Sequence, residues 1–436
     1  MARSARVDAT VRHDACQMNP LDQVPPPSAR RLAVRVTKDA IRQVQGGHPW
    51  VFDRSIVSVN HEGAPGDLAV IFDADRDFVA IGLYDPQSPI RIRVLHHGKP
   101  VSIDSAWWLH RLDASIERRQ IVNARVDTTG YRVVHGENDQ LPGLVVDRYA
   151  STLVIKLYTA AWLPHLATLV PLLQQRLSAD TIVLRFSRDV AGQNLFGLEE
   201  GAALVGSAPT APVMFRENGL TFEADVIHGQ KTGHFLDQRD NRAKVRGLAR
   251  DMKVLDVFAC TGAFSVYAAA GGAQSVLSVD LNAAALEAAV RNMQHNIAIP
   301  NVQKCEHTTQ VGDAFEVMQA MGKKHRRFGL VIVDPPSFAS KPSELERAVR
   351  SYSRLTRLAL DLVDDGGVLV QSSCSSRVPA EEFFAAVHQS AEASRYRISE
   401  ILRSAHAPDH PIGFPEGAYL KTLVARVHKR AEFNRR

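Results

Sequence analysis

The stretch VLDVFACTGAFSVYAAAGGAQSVLSVD, residues 254–280, decides the fold of this chain. It opens with a short apolar run, Val254–Phe258, that is too brief for a helix and predicts a buried strand. Small residues then form a turn, an alanine-rich segment begins a helix, and Gly271 and Gly272 end it. A second apolar run follows and is closed by Asp280. This order of strand, turn, helix, strand and acid is typical of the first half of a nucleotide-binding α/β sheet.

The turn in this stretch suits a cofactor without phosphate. A dinucleotide site needs three glycines that let the backbone approach a pyrophosphate, whereas this turn has one fixed glycine, Gly262, and an acid, Asp256. S-adenosylmethionine carries a sulfonium cation and an ammonium group, and both favour a nearby carboxylate. Asp280 lies 280 − 256 = 24 residues after Asp256, close to the spacing of about 20 at which an acid reaches a ribose hydroxyl. We therefore predict S-adenosylmethionine as the cofactor, although an α/β crossover without a ligand can have the same pattern.

The composition indicates a globular protein rather than a membrane or secreted one. The 436 residues are 45% hydrophobic and 23% charged, which is an ordinary mixture and enough chain for two or three domains. We find no apolar run long enough to span a membrane and no signal-peptide core. Four cysteines lie far apart, without the spacing of a metal site, so we expect no metal, no disulfide scaffold and a cytoplasmic location. A net charge of +5 permits a nucleic-acid partner without requiring one.

Composition and periodicity divide the chain into four predicted parts. Residues 1–29 have little periodicity and end near three consecutive prolines, which predicts a disordered tail. Residues 30–100 contain short strands with turn signals about every ten residues, which favours a small β-barrel. Residues 101–212 are predicted to form a small α+β middle domain, and residues 213–436 hold the α/β sheet. The fold class is therefore α/β, with a Rossmann-like C-terminal sheet preceded by two smaller domains.

Basic side chains mark one surface on each of the two smaller domains. Arg91 and Arg93 alternate with apolar residues along Ile90–Leu95, so this strand could track phosphates or simply carry a solvated face. Ser105–Asn123 is predicted to be an amphipathic helix whose outer face includes Arg119.

The later strands of the C-terminal domain predict where its ligands bind. A third strand is expected near Val302–His307, followed by Asp313, which could read an adenine amine or cap the next helix. The fourth strand, Leu330–Val333, ends in Asp334 and two prolines, and the chain must turn out there because proline cannot continue a central strand. The fifth strand leads into Cys374. Ligands of open α/β sheets bind at this carboxyl edge.

Cys374 and Asp334 leave neighbouring strands on the same side, beside the predicted cofactor turn. This pair suits methylation of a pyrimidine at carbon 5, which is a poor nucleophile until a thiolate adds to carbon 6. The carboxyl of Asp334 could then support the charge that develops near N3 of the ring. A free cysteine is more often a small buried apolar residue, but Cys374 stands among four serines at a strand end. We therefore predict Cys374 as the nucleophile and Cys260, in the cofactor turn, as a packing residue.

Six motifs in chain order resemble one protein family: FLDQRDNR, DVFACTGAFS, SVDLN, DPPSF, SSCSS and PEGAYLK. Behind a GGHPWVF segment that resembles a PUA domain, an RNA-binding barrel, they are similar to the bacterial 23S rRNA cytosine-5 methyltransferases over nearly the whole chain after the tail. The resemblance implies S-adenosylmethionine as cofactor, 23S rRNA or its precursor as partner, no membrane attachment and a homodimer. It implies that Cys374 is the nucleophile and that Asp334 supports the base. It further implies cofactor contacts from residues spread over these motifs: Phe235, Asp237, Gln238, Arg242, Asp256, Phe258, Gly262, Asp280, Asn282, Asp313 and Pro335.

Departures from the family pattern keep other interpretations open. Many related RNA cytosine-5 enzymes carry a second cysteine directly after D-P-P, used in product release, and here that position is Ser337. A related guanine-N7 enzyme shares the FLDQR and DPP motifs but has asparagines where SSCSS stands. Methylation of another rRNA atom, such as an exocyclic amine, is therefore one alternative, with Phe338 one residue out of step with the D-P-P-aromatic pattern that serves amines. A non-catalytic RNA-binding assembly factor is another, and the intact set of acids and glycine at the cofactor turn weighs against it.

Overall fold

A computed structural model describes residues 20–339 and 341–430 of the chain. Its N-terminal domain is one six-stranded sheet with the order β2-β6-β5-β4-β1-β3, in which β1 and β4 run parallel and the other neighbours antiparallel. The elements are β1 (Leu32–Val36), α1 (Lys38–Gln45), β2 (Trp50–Phe52), β3 (Ile56–Val59), β4 (Leu68–Phe72), β5 (Phe78–Tyr84) and β6 (Ile90–His97). Alternating apolar residues of these strands bury a core of their own, as their period of two predicts.

The segment before β1 differs in part from the predicted tail. Pro20–Gln23 forms a 3₁₀ turn, and Leu21 is buried in the hydrophobic cluster of the middle domain. Burial of one leucine is enough to fix a short segment that has no periodicity to reveal it. Residues 1–19 of the predicted tail lie outside the described residues.

The middle domain is a five-stranded sheet with the order β11-β10-β9-β8-β7, covered by helices. Its elements are α2 (Ser105–Glu117), α3 (Gln120–Asn123), β7 (Gly130–His135), β8 (Leu144–Tyr149), β9 (Thr152–Leu157), α4 (Leu166–Leu177), β10 (Thr181–Phe186), α5 (Arg188–Ala191) and β11 (Ala203–Val205). The expected outward position of Arg119 is wrong: the side chain is buried and forms an ion pair with Asp139 at 2.7 Å. The helix ends before Arg119, which frees this side chain to turn inward.

A short hairpin joins the middle domain to the C-terminal domain. Its strands are β12 (Val213–Glu217) and β13 (Leu220–Ala224), and the turn between them has positive φ at Asn218 and Gly219, as an Asn-Gly hairpin requires. The ring of Phe215 lies 5.1 Å from Tyr149 of β8, and the ring of Phe222 stacks on Tyr267 at 6.0 Å. The hairpin therefore packs on both domains and carries Glu217 between them.

The C-terminal domain is a seven-stranded sheet with the order β16-β15-β14-β17-β18-β20-β19 and helices on both faces. β20 runs antiparallel to both of its neighbours, β18 and β19, and the other pairs of neighbouring strands are parallel. The elements are α6 (Arg239–Leu248), β14 (Lys253–Val257), α7 (Ala263–Ala270), β15 (Ser275–Asp280), α8 (Ala283–His295), α9 (Pro300–Lys304), β16 (Glu306–Val311), α10 (Ala314–Lys323), β17 (Phe328–Val333), α11 (Leu345–Leu360), β18 (Val363–Ser373), α12 (Ala380–Glu392), β19 (Tyr396–Ser404) and β20 (Lys421–Lys429).

The third parallel strand lies later in the chain than the sequence predicted. The expected strand at Val302–His307 is a short helix, Pro300–Lys304, followed by β16 at Glu306–Val311. Proline at the start favours the helix. The strand itself forms the sheet edge and is largely exposed, so its residues are polar and no apolar run marks it.

The three domains meet at one junction around Glu137 of the middle domain. Its carboxylate accepts hydrogen bonds from Trp50 Nε1 at 2.8 Å and from Arg93 Nη1 at 3.1 Å, both from the N-terminal domain. The ring of Trp50 also meets the edge of Phe414, from the loop before β20, at 5.3 Å. Arg93 is thus buried in a domain contact, which removes it from the strand face that the sequence offered to phosphates.

Within the described residues, the helices are all too short or too polar to cross a membrane.

Candidate active site

The cofactor turn after β14 has an unusual backbone. Phe258, Cys260 and Gly262 all have positive φ, at 64°, 48° and 71°. Two non-glycine residues in the left-handed region cost energy and are held in place by the packing around them. A Cβ on Gly262 would lie 2.6 Å from Cβ of Ala289 in α8, so only glycine lets the turn lie this close to the helix.

Asp256, the last polar residue of β14, presents a buried carboxylate to this turn. One oxygen accepts a hydrogen bond from Ser265 Oγ at 2.6 Å. The other, Oδ1, is buried without a hydrogen-bond partner among the described residues. Burial and, to a smaller extent, the neighbouring carboxylates Asp334 and Asp280 raise the pKa of Asp256 to about 7, although the hydrogen bond from Ser265 opposes the rise. The site therefore concentrates negative charge that a cation would relieve.

The other predicted cofactor acids are held by backbone N–H groups. Asp280 accepts from Cys260 N at 2.8 Å and from Asn282 N at 2.9 Å, one bond on each oxygen, and each oxygen keeps a lone pair for a ribose hydroxyl. The Asn282 side chain caps α8. Asp313 caps α10 through Oδ1, which confirms the capping role that the sequence offered beside adenine recognition.

The loop before α6 faces the same edge and is tied to it by Gln238. Gln238 Nε2 donates to Asp334 Oδ1 at 2.9 Å. Its neighbour Asp237 is buried, and one of its oxygens, Oδ2, accepts from Lys231 Nζ and from Tyr419 Oη, both at 2.8 Å. The Lys231 ammonium also lies over the Phe235 ring, 4.4 Å from its centroid. These contacts hold a carboxylate, an ammonium group and two aromatic rings close to Asp334.

Arg242 has a different environment from the one the sequence predicted. Its Nε and Nη2 atoms form a two-fold ion pair with the buried carboxylate of Glu217, at 2.8 and 2.7 Å, and Nη1 donates to the Phe235 carbonyl at 2.9 Å. Arg242 is 1% exposed, so this guanidinium is enclosed by protein partners rather than open to a cofactor. It fixes the loop of residues 235–242 onto the β12–β13 hairpin.

Asp334 and Cys374 end the adjacent strands β17 and β18. Burial raises the pKa of Asp334 to about 7, and the Asp237 carboxylate adds to the rise. Cys374 is half-buried, and its Sγ atom lies 3.5 Å from the carbonyl oxygen of Pro335, directly after Asp334. Burial also raises the pKa of the Cys374 thiol to about 11, Asp334 acts in the same direction, and Lys231 opposes it.

Three residues at this edge were missed as site residues: Lys231, Tyr419 and Lys421. Lys421 is buried, and its ammonium donates to the carbonyl oxygens of Ser375 and of Tyr419, the latter at 2.9 Å. Burial lowers the pKa of Lys421 to about 8. The motifs GQKTGH and GAYLK contain all three. The nearness of Tyr419 and Lys421 to Cys374 depends on the antiparallel strand β20, which pairs Lys421 with Ser373, and Lys231 reaches this edge from the loop before α6.

These features fit the cofactor that the sequence predicted. The unpartnered Asp256 oxygen and the clustered carboxylates suit the cationic end of S-adenosylmethionine, and the free lone pairs of Asp280 suit its ribose. An open sheet with the order 3-2-1-4-5-7-6, one antiparallel strand and such a carboxyl edge defines a class I methyltransferase.

Comparison with known proteins agrees with this class. The model of the S-adenosylmethionine-dependent methyltransferase family matches residues 131–426, and that of the PUA-like domain matches residues 34–97. The chain therefore belongs to the S-adenosylmethionine-dependent methyltransferases, with a PUA-like domain at its N-terminal side. This confirms the predicted fold class and cofactor.

Relatives of known name cover almost the full chain. A ribosomal RNA large subunit methyltransferase of Deinococcus radiodurans is 47% identical over 92% of this chain and 99% of its own. Ribosomal RNA large subunit methyltransferase I of Pseudoalteromonas translucida is 35% identical over 87% of this chain and 96% of its own. Among solved structures, a Streptococcus mutans protein assigned as a SAM-dependent methyltransferase has a TM-score of 0.76 at 20% identity, covering 90% of this chain and 99% of that one, and shows the same fold.

The affinity for S-adenosylmethionine should depend on pH through Asp256. A cation bound beside Asp256 favours the ionised carboxylate. At a pH below the Asp256 pKa of about 7, the carboxyl group must therefore lose its proton before the cation can bind. Between pH 7.5 and pH 6, where the ligand sulfonium stays charged, we expect the affinity to fall roughly eightfold for one such group. Isothermal titration calorimetry measures this, and Asp256→Asn should flatten the profile. An equal affinity at both pH values would contradict the assignment.

Proposed function

We propose that this protein methylates carbon 5 of a cytosine in 23S ribosomal RNA through a covalent Cys374 adduct. The observation that carries the proposal is the position of the Cys374 thiol beside Asp334 and Pro335, at the edge where the cofactor site opens. The substrate class rests on the relatives, which are named as ribosomal RNA large subunit methyltransferases. The homodimer implied by the resemblance stays a prediction.

The chemistry assigns a distinct task to each group. The Cys374 thiolate forms a bond to carbon 6 of the ring, and the electron pair of the 5,6 double bond moves so that carbon 5 becomes nucleophilic. S-adenosylmethionine, held by Asp256 and Asp280, would supply the methyl group to carbon 5 and would become a neutral thioether. A base removes the C5 proton, the bond from Cys374 Sγ to carbon 6 breaks, and the double bond is restored. No oxidant or further reactant is needed.

The charges around the two residues support these roles. With a pKa of about 11, Cys374 is a thiol in the free protein and must lose its proton when the target cytosine binds. The reactive thiolate is therefore not exposed to side reactions before that point. Asp334, with a pKa of about 7, is partly ionised near neutral pH, so it can take the proton from the Cys374 thiol and then hold it. Because its Oδ1 accepts from Gln238, Oδ2 is the oxygen that would carry that proton toward N3 of the cytosine.

Two contacts favour this reaction over methylation of an exocyclic amine. The ring of Phe338 packs against Tyr352 at 5.1 Å and Phe315 at 6.3 Å, so it is part of the core rather than a platform for a base.

Ser337 occupies the position where relatives of other branches carry a second cysteine. Its hydroxyl donates to the Ala339 carbonyl at 2.9 Å within its own loop. We therefore infer that release of the product relies on groups other than residue 337.

The test is to identify the methylated nucleoside. The protein is incubated with labelled S-adenosylmethionine and unmodified 23S rRNA transcript, and the RNA is digested to nucleosides for mass spectrometry. We expect 5-methylcytidine at a single position. Label in guanosine or adenosine would overturn the carbon-5 assignment, and the absence of any transfer to RNA, naked or in large-subunit particles, would favour the assembly-factor alternative.

A further inference from the structure

A carboxylate oxygen of Asp237 is left without a donor in the interior of the protein. Asp237 is 3% exposed, and its Oδ2 atom accepts the hydrogen bonds from Lys231 and Tyr419. Its Oδ1 atom has no hydrogen-bond partner among residues 20–339 and 341–430. A buried acceptor without a donor is costly, and native proteins rarely keep one unless a ligand or an ordered water completes it. Asp237 Oδ1 is therefore available to accept a hydrogen bond from a ligand.

The contacts of Asp237 place it on the side of Cys374. The next residue, Gln238, contacts Asp334 at 2.9 Å, and the residue after Asp334 contacts Cys374 Sγ. Tyr419, which holds Asp237 Oδ2, also offers its carbonyl oxygen to Lys421, whose ammonium bonds the residue after Cys374. The charge of Asp237 raises the pKa of both Cys374 and Asp334, whereas the carboxylates that act on Asp256 are Asp334 and Asp280. Asp237 thus belongs to the target-base side of the pocket.

The chemistry of Asp237 limits what it can recognise. Burial opposes its ionisation, but the charges of Lys231 and His410 outweigh it and lower the pKa of Asp237 well below its usual range. An ionised carboxylate only accepts hydrogen bonds. Cytosine presents a donor, the N4 amine, at the position where uracil presents the O4 acceptor. The two pyrimidines share the same carbon 5 and carbon 6, so a nucleophile alone does not separate them.

We propose that Asp237 selects cytosine over uracil by accepting a hydrogen bond from the exocyclic N4 amine of the target base. The inference rests on the proposed function and adds the group that makes the reaction specific for cytosine. In this arrangement Asp334 serves N3, Asp237 serves the neighbouring N4 amine, and Cys374 attacks carbon 6 on the opposite side of the ring, so three residues of the site contact three different positions of one base. Asp237 is then a specificity residue in addition to its ion pair with Lys231.

Asp237→Asn is the informative variant because its orientation is fixed in advance. Lys231 and Tyr419 both donate to the Oδ2 position, so the amide oxygen must occupy that side and the NH₂ group must replace Oδ1. The acceptor that we assign to the N4 amine becomes a donor, which repels that amine and matches uracil O4. Asp240→Asn is the matched control, since Asp240 lies three residues on, in the first turn of α6, with a half-exposed side chain paired to Arg239.

The measurement is the ratio of kcat/KM for two full-length 23S transcripts that carry cytosine or uracil at the modified position. Both substrates are assayed with one protein preparation, so the folded fraction cancels even if the variant is less stable. We expect the ratio of cytosine to uracil to fall by roughly 100-fold or more in Asp237→Asn and to stay unchanged in Asp240→Asn. Formation of 5-methyluridine by the variant would be the clearest support.

Three results would overturn the inference. An unchanged ratio in Asp237→Asn would remove Asp237 from base recognition. A loss of S-adenosylmethionine affinity by calorimetry with no change in the ratio would assign Oδ1 to the cofactor ammonium instead. A wild-type product other than 5-methylcytidine would defeat the proposed function itself, and that result is read from the wild-type protein before any variant is compared.

Discussion

Cys374→Ala should lower methylation of 23S rRNA by on the order of 10⁴-fold or more, because removing a covalent nucleophile closes the reaction path rather than weakening it. The affinity for S-adenosylmethionine should change little, since the thiol lies at the Pro335 carbonyl and not in the cofactor turn. Initial rates with labelled cofactor and cofactor binding by calorimetry measure the two effects. We therefore expect a large loss of the methylation rate with little change in the affinity for S-adenosylmethionine.

Cys305→Ala is the matched control for this variant. Cys305 is a half-buried free cysteine that directly precedes the edge strand β16. RNA that contains 5-fluorocytosine adds a second readout, because the missing C5 proton traps the covalent adduct. The wild-type protein and Cys305→Ala should give an adduct that survives denaturation, and Cys374→Ala should give none. Full activity of Cys374→Ala would eliminate the covalent route.

Arg242→Met should destabilise the protein by about 3–5 kcal/mol, the usual cost of leaving one partner of a buried ion pair without its counter-charge. Glu217 is fully buried, and its remaining donor would be the Tyr267 hydroxyl at 3.0 Å. Chemical denaturation, followed by fluorescence, measures the loss. Adding Glu217→Gln to this variant removes the stranded charge and should recover part of the stability.

Arg246→Met provides the comparison for the second variant. Arg246 lies one turn further along α6, is only half-buried and makes one long contact, 3.4 Å to the Asn218 carbonyl. We expect it to cost less than about 1 kcal/mol. If Arg242→Met were as stable as this control but bound S-adenosylmethionine more weakly, Arg242 would be a cofactor residue, as the family resemblance implied, and its structural role would be refuted.

The sequence predicted those parts of the fold that are encoded locally. The stretch from Val254 to Asp280 forms the expected strand, turn, helix and strand because buried apolar runs, a glycine at positive φ and terminal glycines act on near neighbours. The convergence of Asp334 and Cys374 also followed, since the carboxyl ends of adjacent parallel strands share one edge. β16 was misplaced because an exposed edge strand has no apolar signal.

The positions of the arginines could not be predicted in the same way. The sequence predicted solvent-facing or ligand-binding positions for Arg93, Arg119 and Arg242. In the structure each is buried against a carboxylate at least 20 residues away in the sequence. An arginine is tolerated in the interior only when such a partner exists, and the partner is defined by the tertiary fold. Lys231, Tyr419 and Lys421 were missed for the same reason.

The Glu137 junction bears on how the N-terminal domain can be studied. A truncated protein that begins after β6 would lose Trp50 and Arg93, which would leave the Glu137 carboxylate and the Phe414 ring uncovered next to the loop that carries Tyr419. Any drop in turnover after such an excision would combine the loss of the domain's own role with a disturbed active site. Point substitutions on the solvent-exposed side of the domain would separate these two effects, because they leave the contacts of Trp50 and Arg93 with Glu137 in place.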